Sequence, residues 1–340
     1  MNLVLIICMI ISFSVVYYLT PWSIRYLRRI DLVVKDQHKE GKPLVPISGG
    51  MTVLAGLFIG FMSFIFFNTF FPNGGDLYLN NQVLMFLLSG LIAIMMISFV
   101  GFIDDLFIRG DKETSSGLRQ WQKPLLTLAA AIPLMVVNSG VSKIALPYFG
   151  IVDTGLLYPL ILIPIGVVGA ANMVNMLAGF NGLETGMGIV YTGMLGLYSY
   201  FSREGIYYSE RTATAVFAFI VFSALVAFYF FNRTPAKILP GDSLTYLLGG
   251  TIAVIAIIGN LERAALIISI PFLFEFIFKL RGKFEKQSYG YYENGKVKSF
   301  YDKIYSLPHI LTRTGKFTEK QVVYTFILVE LFFSSLIWII

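Results

Sequence analysis

The stretch "QVLMFLLSGLIAIMMISFVGFIDD", residues 82–105, decides the fold class of this 340-residue chain. Its first 22 residues contain no Asp, Glu, Lys or Arg, and the apolar run ends at two adjacent aspartates. A helix needs about 20 apolar residues to cross the hydrocarbon core of a bilayer. The stretch is therefore predicted to be a transmembrane helix whose charged end lies at the membrane surface.

The rest of the chain has the same character. Hydrophobic residues make up 56% of it and charged residues only 14%, whereas a soluble domain carries about 25% charged residues. The apolar runs are continuous, which favours helices over the alternating strands of a barrel. We predict an all-α integral membrane protein, one domain over 1–340, with about ten transmembrane helices. These helices are predicted at 2–20, 48–71, 82–103, 124–142, 156–177, 185–201, 212–231, 243–261, 263–280 and 321–340.

The basic residues predict the orientation of these helices. Alternate loops, beginning with 21–47, together hold 22 of the 26 Lys and Arg residues. Basic loops stay on the cytoplasmic side of a membrane. Both termini are therefore predicted to lie outside, with the basic loops in the cytoplasm.

Three polar groups fall at the predicted cytoplasmic ends of helices. They are the pair Asp104 and Asp105, the asparagine-rich stretch "NMVNMLAGFNGLE" at 172–184, and Asp242 in "LPGDSLTYLLGG". Carboxylate and amide oxygens bind divalent cations, and the neighbouring Lys and Arg residues suit anionic substrate groups. A site for a phosphate-bearing substrate on the cytoplasmic face fits this mixture.

Each group also has a structural interpretation. Asp242 precedes a helix and could cap it, and Asn172 and Asn175, three residues apart, could hydrogen-bond between helices. Adjacent aspartates repel each other unless a cation compensates, which favours a functional role for Asp104 and Asp105. A transporter is the alternative class of protein, but it predicts internal repeats and acids near the middle of the membrane. These three aspartates cluster at one face, and no repeat is visible.

Three ordered motifs resemble a known family. "FVGFIDDLFIRG" (99–110), "NMVNMLAGFNGLE" and "LPGDSLTYLLGG" (239–250) are similar to those of the polyprenyl-phosphate N-acetylhexosamine-1-phosphate transferases. Ala178 and Asn181 stand where bacterial members usually carry aspartates, so the chain is most similar to the eukaryotic and archaeal branch. The segment "VPISGG" (45–50) departs from the eukaryotic relatives, because Ile47 stands where they carry a glutamate.

The resemblance implies an activity. A member of this branch transfers GlcNAc-1-phosphate from UDP-GlcNAc to dolichyl or another polyprenyl phosphate, releasing UMP, as the first step of lipid-linked oligosaccharide synthesis for protein N-glycosylation. Direct displacement is the favoured mechanism, and another UDP-N-acetylhexosamine is the alternative donor. The resemblance implies Mg²⁺ as cofactor, with Mn²⁺ as the alternative ion. Expected partners are the two substrates and membrane lipids but no nucleic acid, and a homodimer is left open.

The family's roles are carried over residue by residue. Those that the resemblance implies for catalysis are Asp104, Asp105 and Lys123, and those for the metal are Asn175 and Asp242. Those implied for substrate binding are Asn172, Asn181, Arg281 and Lys283, and Asn181 matches a residue that contacts the uracil of the donor. The site is expected to face the cytoplasm. The membrane is expected to be the plasma membrane if the source is archaeal and the endoplasmic reticulum if it is eukaryotic.

Overall fold

The computed structural model describes residues 2–71, 77, 79–107, 117–118, 121–138, 143–146, 150–203 and 207–339. Most of them lie in helices. The longer helices are α1 (Leu3–Arg29), α2 (Gly50–Phe70), α3 (Asn81–Leu106), α6 (Ile163–Met176), α7 (Leu183–Phe201), α8 (Tyr208–Asn232), α9 (Gly241–Gly259), α11 (Ile270–Arg281) and α13 (Glu319–Ser335). The shorter ones are α4 (Gln122–Ala129), α5 (Ile132–Val137), α10 (Glu262–Ile268) and α12 (His309–Thr312).

Seven helical segments of the described residues are long and apolar enough to cross a membrane. This confirms a multi-pass integral membrane protein. The seven segments are Leu3–Arg29, Gly50–Phe70, Asn81–Leu106, Tyr158–Met176, Tyr208–Asn232, Gly241–Gly259 and Glu319–Ile339. The fourth consists of α6 and the π-helical turn Tyr158–Leu162 before it. The number ten and the outside placement of the termini stay predictions.

The other three predicted spans differ from continuous apolar helices. The range 124–142 is broken between α4 and α5, where Pro133 follows the break, and its last residues (139–142) lie outside the described residues. The range 263–280 is broken between α10 and α11, two residues before Pro271. Proline lacks an N–H group and clashes with the preceding helical turn, so helices tend to restart at it. Helix α7 is unbroken but rich in glycine, threonine and tyrosine.

Short β-hairpins join some of the helices, so the all-α prediction was wrong in this detail. The antiparallel pairs are β1 (Val33–Lys35) with β2 (Leu44–Pro46), β3 (Lys143–Leu146) with β4 (Gly150–Asp153), and β5 (Tyr291–Glu293) with β6 (Lys296–Lys298). In the third hairpin, Asn294 and Gly295 both have positive φ. Asn-Gly is the preferred sequence for such two-residue turns.

Helix α9 occupies the centre of the bundle and packs against α3, α6 and α8. Two glycines allow its backbone to come close to its neighbours. A Cβ atom at Gly101 of α3 would lie 2.3 Å from the carbonyl oxygen of Asp242, and one at Gly249 would lie 2.3 Å from that of Ala170 on α6. The ends of α3, α6 and α9, which carry the three predicted polar groups, therefore meet at one place.

Candidate active site

A cavity of about 1120 Å³ opens where α4, α6, α9 and the segment after α11 approach each other. Five of the nine predicted site residues line it: Lys123, Asn172, Asn175, Asn181 and Asp242. Lys35, Lys279 and Lys286 also line the cavity. Asp36, Glu184, Asp242 and Glu285 line it too, so its wall combines ammonium groups for anionic substrate groups with carboxylates that can hold a divalent cation.

Lys123 lies between two carboxylates. Its Nζ is 3.1 Å from Oδ2 of Asp242 and makes a closer ion pair with Oδ2 of Asp104, which is almost fully buried. Burial lowers the pKa of Lys123, but the negative charges of Asp242 and Asp104 outweigh burial and hold it above its usual value. The side chain is therefore a permanent cation in the cavity wall.

Asp105 holds the start of α9. It is fully buried, and its two carboxylate oxygens accept the backbone N–H groups of Asp242 at 2.7 Å and Ser243 at 3.2 Å. These N–H groups belong to the first turn of α9. Backbone N–H groups in the first turn of a helix have no acceptor within that helix. Gly241 has φ of +71°, and a Cβ atom there would lie 2.4 Å from Oδ2 of Asp105. Asp105 therefore fixes the position of Asp242, and Asp242 itself does not cap its helix.

Asp104 and Asp105 do not line the cavity. Asp104 accepts the backbone N–H of Leu118 and pairs with the Lys123 ammonium. Asp105 accepts a backbone N–H group of α9. The resemblance leaves open whether one of the pair deprotonates the acceptor phosphate, forms a covalent intermediate or orients a lysine. In the structure they position Lys123 and Asp242, and a direct catalytic role for either stays a prediction.

The two asparagines of α6 hydrogen-bond to α9. Asn175 Nδ2 donates to Oδ2 of Asp242 at 3.1 Å, and its Oδ1 accepts the Thr245 hydroxyl at 3.1 Å. Asn172 donates to the carbonyl of Val168 in its own helix and accepts the Tyr246 hydroxyl at 3.4 Å. The helix–helix bonds expected as the structural alternative are present, and both side chains still line the cavity.

The donor set around Asp242 fits a divalent cation. Carboxylate and amide oxygens are the ligands that Mg²⁺ prefers in proteins. The Lys123 ammonium is 3.1 Å from Oδ2 of Asp242, so an ion bound there would share this carboxylate with it. Asn175 presents its nitrogen to Asp242. Rotation of the amide about its last bond would present the oxygen to a cation held by that carboxylate.

Asn181 is held by residues that the sequence did not single out. Its Nδ2 donates to Oδ2 of Asp36 at 2.7 Å, and its backbone N–H donates to Oε1 of Glu319 at 2.9 Å. His38 Nδ1 donates to the same glutamate oxygen at 3.2 Å, because its Nε2 accepts the N–H of Gly290. The loop before α7 is thereby tied to the chain after α1 and to the start of α13.

The ligand atoms of Asp36, His38 and Glu319 lie within 4.8 Å of one another, which is close enough for a metal ion. A cation is already present, because Lys39 is paired with Glu319 and lies 3.8 Å from Asp36. All three metal-ligand candidates are buried, and this ammonium offsets negative charge of the two carboxylates, Asp36 and Glu319. The cluster is therefore an ion network that positions Asn181.

Glu184, at the start of α7, is another residue that the sequence analysis missed. Its Oε1 accepts the N–H of Gly179 at 2.7 Å, and its Oε2 has no partner among the described residues although it is buried. Burial raises the pKa of Glu184 to about 7. The side chain lines the cavity beside the asparagine-rich loop, where it can take up or release a proton near neutral pH.

Arg281 and Lys283 do not line the cavity. Helix α11 ends at Arg281, and the chain then turns through two residues with positive φ, Lys283 and Phe284. Both residues are exposed outside the cavity, and the binding of substrate by them stays a prediction. Two lysines of the same segment line it instead. Lys279 donates to the carbonyl of Lys286 at 2.7 Å and lies 3.7 Å from Glu275.

Comparison with known proteins agrees with this geometry. The profile of glycosyl transferase family 4 matches residues 87–260, which carry Asp104, Asp105, the asparagine-rich loop and Asp242. The chain belongs to this family. The resemblance noted in the sequence is thereby confirmed, and the transporter interpretation is set aside.

Full-length relatives support the same assignment. A Saccharolobus solfataricus protein provisionally named UDP-N-acetylglucosamine–dolichyl-phosphate N-acetylglucosaminephosphotransferase is 34% identical over 94% of this chain and 92% of its own. A Sulfolobus acidocaldarius protein with the same provisional name is 31% identical over 98% and 94%. A phospho-N-acetylmuramoyl-pentapeptide-transferase of Halalkalibacterium halodurans is 30% identical over 82% and 85%. The chain is thus a glycosyl-1-phosphate transferase of this family.

The Asn181 network predicts an effect on affinity for this transferase's nucleotide substrate. Replacing Asp36 by asparagine removes the carboxylate that receives the Asn181 amide, so the amide loses its fixed orientation. We expect KM for the donor to rise about tenfold, as for a lost charge-assisted hydrogen bond, with kcat within about twofold of the wild type. Steady-state kinetics in the donor measure both constants.

A matched control replaces Asp31 by asparagine. Asp31 lies two residues before β1, whereas Asp36 directly follows that strand, and Asp31 is exposed. We expect its KM to be unchanged. A fall of kcat with KM constant in the Asp36 variant would contradict the role of the network in donor binding.

Proposed function

We propose that this membrane transferase moves GlcNAc-1-phosphate from UDP-GlcNAc to dolichyl or another polyprenyl phosphate. The acceptor phosphate oxygen attacks the β-phosphorus of the donor, and the bond from that phosphorus to the bridging oxygen breaks. The products are UMP and a GlcNAc-pyrophosphoryl lipid, the first intermediate of lipid-linked oligosaccharide synthesis for protein N-glycosylation. The placement of Lys123 between Asp104 and Asp242, in the wall of a large cavity lined by both lysines and carboxylates, is the observation that carries the proposal.

Charge is the main physical demand of this reaction. Two phosphate-bearing substrates must approach each other, so fixed positive charges have to offset their repulsion. Lys35, Lys123, Lys279 and Lys286 line the cavity and supply such charges. Lys123 is aligned by two carboxylates and therefore binds phosphate oxygens without reorganising.

We propose that the cavity also takes Mg²⁺, with Mn²⁺ as the alternative ion. Asp242 and Asn175 would hold it, and when bound it supplies charge stabilisation for the donor diphosphate. Asp105 supports this role because it fixes the backbone of Asp242. The carboxylate of Asp242 is therefore preorganised toward the cavity.

The arrangement of the two aspartates supports direct displacement over a covalent intermediate. Both oxygens of Asp105 accept backbone N–H groups, and both oxygens of Asp104 are engaged by Lys123 and Leu118. A carboxylate nucleophile needs a free oxygen that reaches the substrate. Neither aspartate has one in the cavity.

The cavity has an apolar flank that suits the lipid acceptor. Pro124 of α4, Val168 and Met173 of α6, and Phe276 of α11 line it. Residues next to them on these helices, such as Leu125 and Ile165, are exposed on the apolar exterior of the bundle. A polyprenyl chain can thus remain in the bilayer while its phosphate enters the cavity. We propose that this entrance lies at the cytoplasmic surface, as the basic loops predict.

A donor panel tests the proposal. Purified protein in nanodiscs is given Mg²⁺, dolichyl phosphate and, separately, UDP-GlcNAc, UDP-GalNAc and UDP-glucose. We expect UMP and a lipid-linked product from UDP-GlcNAc, measured by coupled UMP detection and by mass spectrometry of the lipid. A much higher kcat/KM with UDP-GalNAc would favour the alternative UDP-N-acetylhexosamine, and inactivity with every UDP-sugar would remove the transferase proposal.

A further inference from the structure

A second cavity, of about 420 Å³, lies between the end of α8 and the start of α13. Its charged lining residues are Arg233, Lys237 and Lys320, and no carboxylate lines it. We call it the basic cleft. Helix α7 packs against both α8 and α13, so the cleft forms where these two helices diverge at the membrane surface.

The cations of the basic cleft are free to bind an anion. Among the described residues none of the three forms an ion pair, and all three are exposed. Glu319, which precedes Lys320, is buried and paired with Lys39 instead. Three unneutralised positive charges around one small cavity attract a phosphate group more strongly than a carboxylate.

The rim of the basic cleft indicates where that phosphate comes from. Phe230 and Tyr324 line it and are 49% and 54% exposed, and Leu328, one turn further along α13, is 63% exposed. These residues lie on transmembrane segments, so their exposed apolar surface faces lipid. Basic residues beneath aromatic residues at a membrane surface are a typical setting for anionic lipid headgroups.

We propose that the basic cleft binds the phosphate of an anionic phospholipid headgroup, with the acyl chains along α8 and α13. The site is distinct from the cavity that we assign to catalysis, but it is close to it. Asn181 lines both cavities, and its carbonyl oxygen accepts the Thr234 hydroxyl at 3.0 Å from the cleft side. A bound lipid therefore contacts the segment that supports the asparagine-rich loop.

Native mass spectrometry of the purified full chain tests the site without relying on its activity. The protein is titrated with phosphatidylglycerol or phosphatidylcholine, and a variant with Arg233→Gln, Lys237→Gln and Lys320→Gln is compared with the wild type. The control variant carries Lys303→Gln, Arg313→Gln and Lys316→Gln, which removes three exposed cations of the segment between α11 and α13 that do not line the cleft. Thermal melting verifies that the variants remain folded.

We expect phosphatidylglycerol to bind more tightly than phosphatidylcholine. Each basic residue near a membrane surface contributes about fivefold in affinity for anionic lipid, so the cleft variant is expected to lose at least tenfold while the control stays within twofold. Equal loss in both variants would overturn the proposal. Full displacement of the lipid by inorganic phosphate would also overturn it, because the ligand would then be a soluble phosphate. The inactive Asp242→Ala protein should bind lipid normally, which separates this test from that of the proposed function.

Discussion

Replacing Asp242 by alanine is expected to lower kcat/KM about a thousandfold or more while the protein stays folded. The carboxylate is the one acceptor that Lys123 and Asn175 share, at 3.1 Å from each. Its loss leaves the ammonium and the amide without their common partner and removes the proposed metal ligand. Losses of this size follow the removal of a preorganised electrostatic group from a phosphoryl-transfer site.

The fold is expected to survive this change because α9 is held through its backbone. Asp105 accepts the N–H groups of residues 242 and 243, and an alanine retains both. Melting temperature and gel filtration check the fold, and UMP release at increasing Mg²⁺ concentrations measures turnover. Asp302→Ala, which removes an exposed acid outside the cavity, is the control. Near-normal turnover of the Asp242 variant would exclude the residue from the site.

The sequence predicted the positions of the helices more accurately than it predicted whether each helix is continuous. Apolar runs at 48–71 and 82–103 became α2 and α3 because hydrophobic length alone determines such helices. The runs at 124–142 and 263–280 are also predicted as spans, but each contains a proline with a helix break two or three residues before it. Composition could not show whether the chain kinks or restarts there, because packing decides which of the two occurs.

The candidate site was predicted where its residues are close in sequence or lie in a motif. Asp104, Asn175 and Asp242 end or begin helices on one predicted face, and the packing of α3, α6 and α9 brings them together. The network of Asp36, His38 and Glu319 spans almost the whole chain, so no spacing could reveal it. The position of Arg281 outside the cavity could not be predicted, because the direction of the loop after α11 depends on backbone dihedral angles that the sequence does not fix.

Lys123→Met is the second change with a large expected effect, and it separates two roles of this residue. The methionine keeps an unbranched side chain but leaves Asp104, 2% exposed, without its cation. Removing one partner of a buried ion pair destabilises a protein by about 3 to 5 kcal/mol, because the other charge stays buried without a partner. We also expect kcat to fall at least a hundredfold, because phosphate binding in the cavity loses its aligned ammonium.

The double variant Lys123→Met with Asp104→Asn tests this division. A neutral amide at residue 104 no longer leaves a charge buried without a partner, so most of the lost stability is expected to return. Activity is expected to stay low because the ammonium is still missing. Chemical denaturation in detergent micelles measures the stability, and the donor assay measures kcat. Recovery of activity together with stability would mean that Lys123 only neutralises Asp104 and does not bind phosphate.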